Sequence, residues 1–186
     1  MKFFLRAFLL FLLAGFGWLL HVVVNGTGET VGGPEPVVVH QDEDIGVQGV
    51  RFSEWKRGKR VWMLDAKEMR YYHTKGRADF DQVSVSFRVS SGQGLGMEAD
   101  SVHYDTATGN LTAEGRVVGR DDQGYEFFTD TLSYDAESRT VATRDQVTLK
   151  KDRLTIKGVG MQGDLERNRL EIRSGVRAHF LPPNGG

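Results

Sequence analysis

At 186 residues the chain suits one ordinary domain with an appendage. It has no cysteine, which excludes disulfides, thiolate metal sites and a lipidated N-terminal cysteine. Its 24 basic residues nearly balance 25 acidic ones; only Lys2 and Arg6 precede residue 25, leaving 22 against 25 beyond it, a poor footprint for nucleic acid.

The chain opens with "MKFFLRAFLLFLLAGFGWLLHVVV", in which only His21 is strongly polar between residues 7 and 24. Eighteen such residues span about 27 Å as a helix, close to the ~30 Å hydrocarbon core of a bilayer. Residues 7–24 are therefore predicted to be a transmembrane helix. Lys2 and Arg6 make residues 1–6 a cytoplasmic tip, with the remainder exported. Trp18 and His21 suit the outer interface. The competing reading is a signal peptide cut near residues 15–17 or 24–26, which would release a soluble protein. The length of the apolar run favours the retained anchor.

Residues 25–46 read as a flexible linker. "NGTGETVGGPEP" (25–36) is rich in glycine and turn formers. "VVVH" (37–40) has the makings of a short strand. Asp42, Glu43 and Asp44 lack the glycine and glutamate spacing of a calcium loop and read as a solvated turn.

From residue 47 to 181 apolar residues recur with period two. Val83, Val85, Phe87 and Val89 share one parity, as do Leu111, Ala113, Gly115 and Val117. Leu154 and Ile156 alternate with Thr155, and Leu170, Ile172, Val176, Ala178 and Phe180 share a parity near the C-terminus. Turn clusters separate these runs, such as "HTKGRAD", "TATGN", "AESR" and "KKDR". The expected fold is all-β: nine or ten short antiparallel strands, each with one apolar face. Residues 182–186 form a short tail.

The body also repeats itself. "ADSVHYDTATGNLTAEGRVVG" (99–119) is followed thirty positions later by "TDTLSYDAESRTVATRDQVTL" (129–149). Weaker copies span 61–85 and 158–178. Such a period means one supersecondary unit, here two strands and a tight turn, repeated four times. One copy cannot bury its own apolar face, so the copies must stack or wrap. A wrapped pair of sheets would enclose a long apolar groove and leave its first and last strands as open edges. The last strand, "RLEIRSGVRAHFL", is long and free of proline until Pro182. Either Arg173 and Arg177 keep that edge alone, or another sheet continues from it.

No catalytic, cofactor or metal site is expected. "GVGMQG" (158–163) fits a nucleotide-loop pattern, but β-like alternation flanks it and no helix follows, so its glycines mark a bend or bulge. The five histidines lack ligand spacing. Asp100 and Asp130 occupy equivalent repeat positions, which suits a structural task at a bend, such as bonding backbone amides, better than acid–base work. A β-rich enzyme would instead need Asp100, Asp130 and His103 to converge in a cleft. "NLT" (110–112) is a formal glycosylation sequon, but its place in a hairpin turn accounts for the asparagine.

The N-terminal anchor, the glycine-rich tether and the repeated "A-D-x-[VL]-x-Y…L-x-A-x-G-x-V" body together resemble the LptC family of the lipopolysaccharide export machinery. That resemblance implies an open, taco-like β-jellyroll whose apolar interior holds acyl chains. It implies lipopolysaccharide as cargo, an LptB–LptF–LptG transporter and the bridge protein LptA as partners, and an inner-membrane, single-pass location with the body in the periplasm. The expected role is to receive lipopolysaccharide from the transporter and pass it to LptA; the alternative is a soluble LptA-like bridge after cleavage. Expected groove residues are Val83, Val85, Phe87, Leu111, Val117, Leu132, Val147, Leu149, Ile156, Leu170, Ile172 and Val176. The pattern alone leaves open whether they line a slot or fill a core. Expected partner edges are Val50, Phe52 and Gly58 at the first strand pair, and Val176, Ala178 and Phe180 at the last strand. Gly58 matches a family glycine. A second family glycine, expected after "VTL" (147–149), is replaced by Lys150, Lys151 and Asp152.

Overall fold

Period-two alternation between turn clusters produces nine strands, each antiparallel to the next. In the computed structural model, residues 45–56, 59–88, 94–164, 167 and 169–181 are described. The strands are β1 (Ile45–Lys56), β2 (Lys59–Tyr72), β3 (Arg77–Arg88), β4 (Gly94–Asp105), β5 (Leu111–Asp121), β6 (Tyr125–Asp135), β7 (Thr140–Lys151), β8 (Leu154–Asp164) and β9 (Arg169–Phe180). They form one sheet in chain order, with β1 and β9 at its ends. The expected pair of separate sheets is thus corrected: a single sheet supplies both layers. The first strand also starts inside the residues read as linker.

The burial pattern requires that sheet to fold over itself. Leu64, Val117, Val141 and Val147 are 0% exposed. A flat sheet with one free face cannot cover its side chains that well, so another part of the same sheet must lie over them. Full burial of such a side chain contributes about 1.5–3 kcal/mol. The buried set runs from Val50 in β1 to Met161 in β8 as one cluster.

The crease is written in backbone conformation. β5 carries one residue more than both neighbours around Gly115 and Arg116. β7 does the same between Thr143 and Gln146, and β9 at Gly175, opposite Gly158. These bulges fall near positions 115, 145 and 175, the thirty-residue period of the sequence. Left-handed residues extend the row: Gly49 in β1, Gln82 in β3, Gly115 and Arg116 in β5, and Gly160 in β8. Bulges bend a strand and sharpen its twist. A row of them across neighbouring strands lets each strand serve both layers.

The repeat unit is a hairpin: β2–β3, β4–β5, β6–β7 and β8–β9. Its recurring aspartate closes the turn. Asp105 Oδ1 accepts from the amides of Ala107 and Thr108 at 2.9 and 2.8 Å. Asp135 Oδ1, thirty residues later, accepts from the Ser138 amide at 2.7 Å and its hydroxyl at 2.6 Å. Asp164 Oδ1 takes the Arg167 amide at 2.8 Å in the fourth hairpin. Successive turns are then tied together. The Thr106 amide donates to Gly76 O, and the Ala136 amide to Asn110 Oδ1. Asn110 of the sequon is therefore a link between two turns.

Candidate lipid-binding interior and its open end

Cross-strand register assigns each apolar side chain to the inner or outer face, because directly opposed residues point the same way. Val83, Val85, Leu111, Val117, Leu132 and Val147 all lie inward and are buried in the core cluster. They are covered by other protein atoms and do not line an exposed slot. Leu149, Leu170 and Ile172 pack against this cluster and are half-buried, as is Ile156. The side chain of Phe87 and the whole of Gly58 lie outside the described residues, as do residues 1–44 with the predicted membrane helix and linker, and the tail 182–186. Among the described residues no helix is long and apolar enough to cross a membrane.

The two ends of the roll differ. At β1, Val50 is buried and Phe52 half-buried, opposite Ala66 and Leu64. Val50 is part of the core there, and Phe52 packs against it. At the other end Ile156 opposes Ala178 and Leu154 opposes Phe180, which places all four on the inner face. That face is bare: Val176 is 55% and Phe180 64% exposed, Leu154 is exposed, and Leu181 follows them. Val176, expected both in the groove and at the partner edge, is part of this open apolar lip.

A local contact marks where the cover stops. The Ile172 side chain sits over Gly158, in the space a side chain there would need. Gly158 pairs with the buried Val147. Inward of this contact the layers are closed, and beyond it β8 and β9 present hydrocarbon to solvent. The glycines of "GVGMQG" belong to this arrangement. Gly163 gives room to Val141 and Leu170, and Gly160 bends the strand.

Leu154 and Leu181 were not among the expected lipid contacts. Leu154 had the signal, since it shares the parity of Ile156. Leu181 follows the last strand and carries no periodic signature.

Several polar groups on the outer face hold the sheet. Asp100 receives Arg116 Nη2 at 2.6 Å and Nε at 3.2 Å. That hydrogen bond holds its carboxyl below the usual value of 3.8. Asp100 thus marks the bend as expected, but through a guanidinium and not through backbone amides. Asp130 is exposed and borders an open depression of the outer face with Phe128, Gln146 and Thr148. His103 Nδ1 lies 2.8 Å from Asp79, whose other oxygen accepts from Arg77 at 2.6 Å. Asp100, Asp130 and His103 therefore have separate surroundings and share no hydrogen bond among the described residues. Nor does any cluster of three metal-ligating side chains occur among those residues. Tyr104 and Tyr134, equivalent in the repeat, are buried, and that burial raises both phenols above 10.0.

No curated protein matches the chain. Among solved structures it is similar to LptH, described as the LptA homologous periplasmic component of the lipopolysaccharide transport device from Pseudomonas aeruginosa. The two are 15% identical, the match covers 65% of this chain and 95% of that one, and the TM-score is 0.48. The family model described as "Lipopolysaccharide-assembly, LptC-related" matches residues 10–181. The chain belongs to the LptC-related family and has a role in lipopolysaccharide transport.

Proposed function

We propose that the chain is a non-enzymatic transfer subunit that takes lipopolysaccharide from the LptB–LptF–LptG transporter and passes it to LptA. Residues 7–24 anchor it in the inner membrane and residues 47–181 work in the periplasm. One observation carries the reading: the inner face is covered at Val50 of β1, although Ile45 at the start of that strand is exposed, and bare along Val176 and Phe180 of β9. An acyl chain resting on Leu154, Ile156, Val176 and Phe180 replaces water on both surfaces, which contributes about 0.8 kcal/mol for each CH₂ buried. The outer backbone edge of β9, unpaired among the described residues, offers a partner sheet a place to continue. Energy must then come from the partner ATPase.

The test is photo-crosslinking in cells from residues 176 and 180, with residue 171 on the outer face as control. The expected result is a lipopolysaccharide adduct at 176 and 180 and none at 171. Absence of adducts at both inward positions would overturn the reading. The mass of the mature chain tests the anchor: loss of residues 1–26 would replace it with the soluble bridge.

A further inference from the structure

The outer face behind the open end carries two cations set directly opposite each other. Several arginines elsewhere meet carboxylates across strand boundaries: Arg51 with Asp65, Arg70 with Asp81, Arg116 with Asp100, and Arg120 with Glu98 and Glu126. Lys157 in β8 and Arg177 in β9 are instead direct cross-strand partners, both exposed. Neither has an ion-pair partner among the described residues. Like charges placed directly opposite each other destabilise a sheet, and an anion set between them relieves that repulsion.

The same stretch of two strands carries the bare apolar lip on its other face, at Val176 and Phe180. Since β9 is the last strand, a single backbone edge separates hydrocarbon from cations. A long arginine side chain on an edge strand can reach around it. Hydrocarbon on one side and paired cations on the other match an amphiphile with an anionic headgroup. Arginine beside lysine suits phosphate in particular: the guanidinium fork binds two oxygens and the ammonium adds a point charge. Amides on the outer edge of β9, unpaired among the described residues, add further donors.

We propose that Lys157 and Arg177 form a subsite for the phosphate headgroup of the amphiphile whose acyl chains rest on Val176 and Phe180. This rests on the reading of the open end as the lipid-bearing surface and adds the chemistry of its headgroup. The competing role for the two cations is to keep β9 from pairing with another copy.

The test uses the purified full chain with a photo-crosslinker at residue 180, exposed to bis-phosphorylated lipid A or to the same lipid stripped of phosphate. Charge-assisted contacts of this kind give a preference of about tenfold for the phosphorylated lipid. K157A/R177A is expected to abolish that preference and leave labelling by the dephosphorylated lipid unchanged, while K157R/R177K retains it. Equal labelling of both lipids by the unaltered residues, or a preference that survives K157A/R177A, overturns the subsite while leaving the open end intact. Self-association of K157A/R177A in sedimentation with its phosphate preference unchanged assigns the cations to edge protection and also overturns it. If neither lipid labels, the reading of the open end itself fails, and the subsite with it.

Discussion

The Asp100 carboxylate lies against the Cα of Gly115, so close that a Cβ on that glycine would stand 2.6 Å from Oδ2. The same carboxylate holds Arg116, whose backbone, like that of Gly115, is left-handed. One contact thus pins the bulge at the crease between β4 and β5. Gly115→Ala is expected to cost about 1–2 kcal/mol from its φ of +72 alone, and more from the displaced carboxylate. In urea unfolding, Asp100→Ala should relieve part of that second contribution, so the double variant should be less destabilised than the two single variants summed.

The turn aspartates predict acid sensitivity. The Thr108 amide and hydroxyl hold Asp105 below its usual value, and the Ser138 hydroxyl and amide do the same for Asp135. A carboxyl with a lowered folded pKa stabilises the fold above its unfolded value near 3.8 and loses that contribution as pH falls through the folded value. The urea midpoint should therefore drop below about pH 4. Asp105→Asn with Asp135→Asn should flatten this part of the profile.

The buried tyrosines predict the opposite limb. Burial raises the phenols of Tyr104 and Tyr134 above 10.0. A raised folded pKa for an acid means the contribution is complete below 10.0 and is lost as pH rises through the folded value. Thermal unfolding followed from pH 8 upward should show a falling midpoint. The slope should be shallower in the Tyr104→Phe and Tyr134→Phe variants.

The closed and open parts of the interior should respond differently to truncation. Leu64→Ala removes a fully covered side chain and should cost about 2–5 kcal/mol. Val176→Ala, on the bare lip, should change stability by no more than about 0.5 kcal/mol. Val176→Asp should leave the unfolding midpoint nearly unchanged yet reduce lipopolysaccharide labelling at residue 180. Equal destabilisation by the Leu64 and Val176 alanine variants would contradict the asymmetry of the roll.

The Ile172–Gly158 contact should act as the inner stop of the open end. Ile172→Ala removes the side chain that covers Gly158. A photo-crosslinker at residue 147 should then gain labelling by lipopolysaccharide that it lacks in the unaltered protein. Unchanged labelling would show that the closure is held elsewhere.

The sequence alone determined what depends on neighbours along the chain or one strand away. Alternation named the inward parity of Val83, Leu111, Val147 and Ile156. The thirty-residue period announced the hairpin unit, and the aspartates of its turns recur with it. Those features are local because side-chain direction and turn chemistry are set within a few residues. Only the tertiary structure decided which inward residues are covered. Val147 in β7 and Val176 in β9, one strand apart, have the same residue type and face the same side of the sheet, yet one is sealed and the other bare. Coverage depends on what the opposite layer places above each site, and that layer is built from distant residues brought over by the crease. The bulge at Gly175 and the reach of Ile172 over Gly158 set where the cover ends, and no periodicity encodes a contact of that kind.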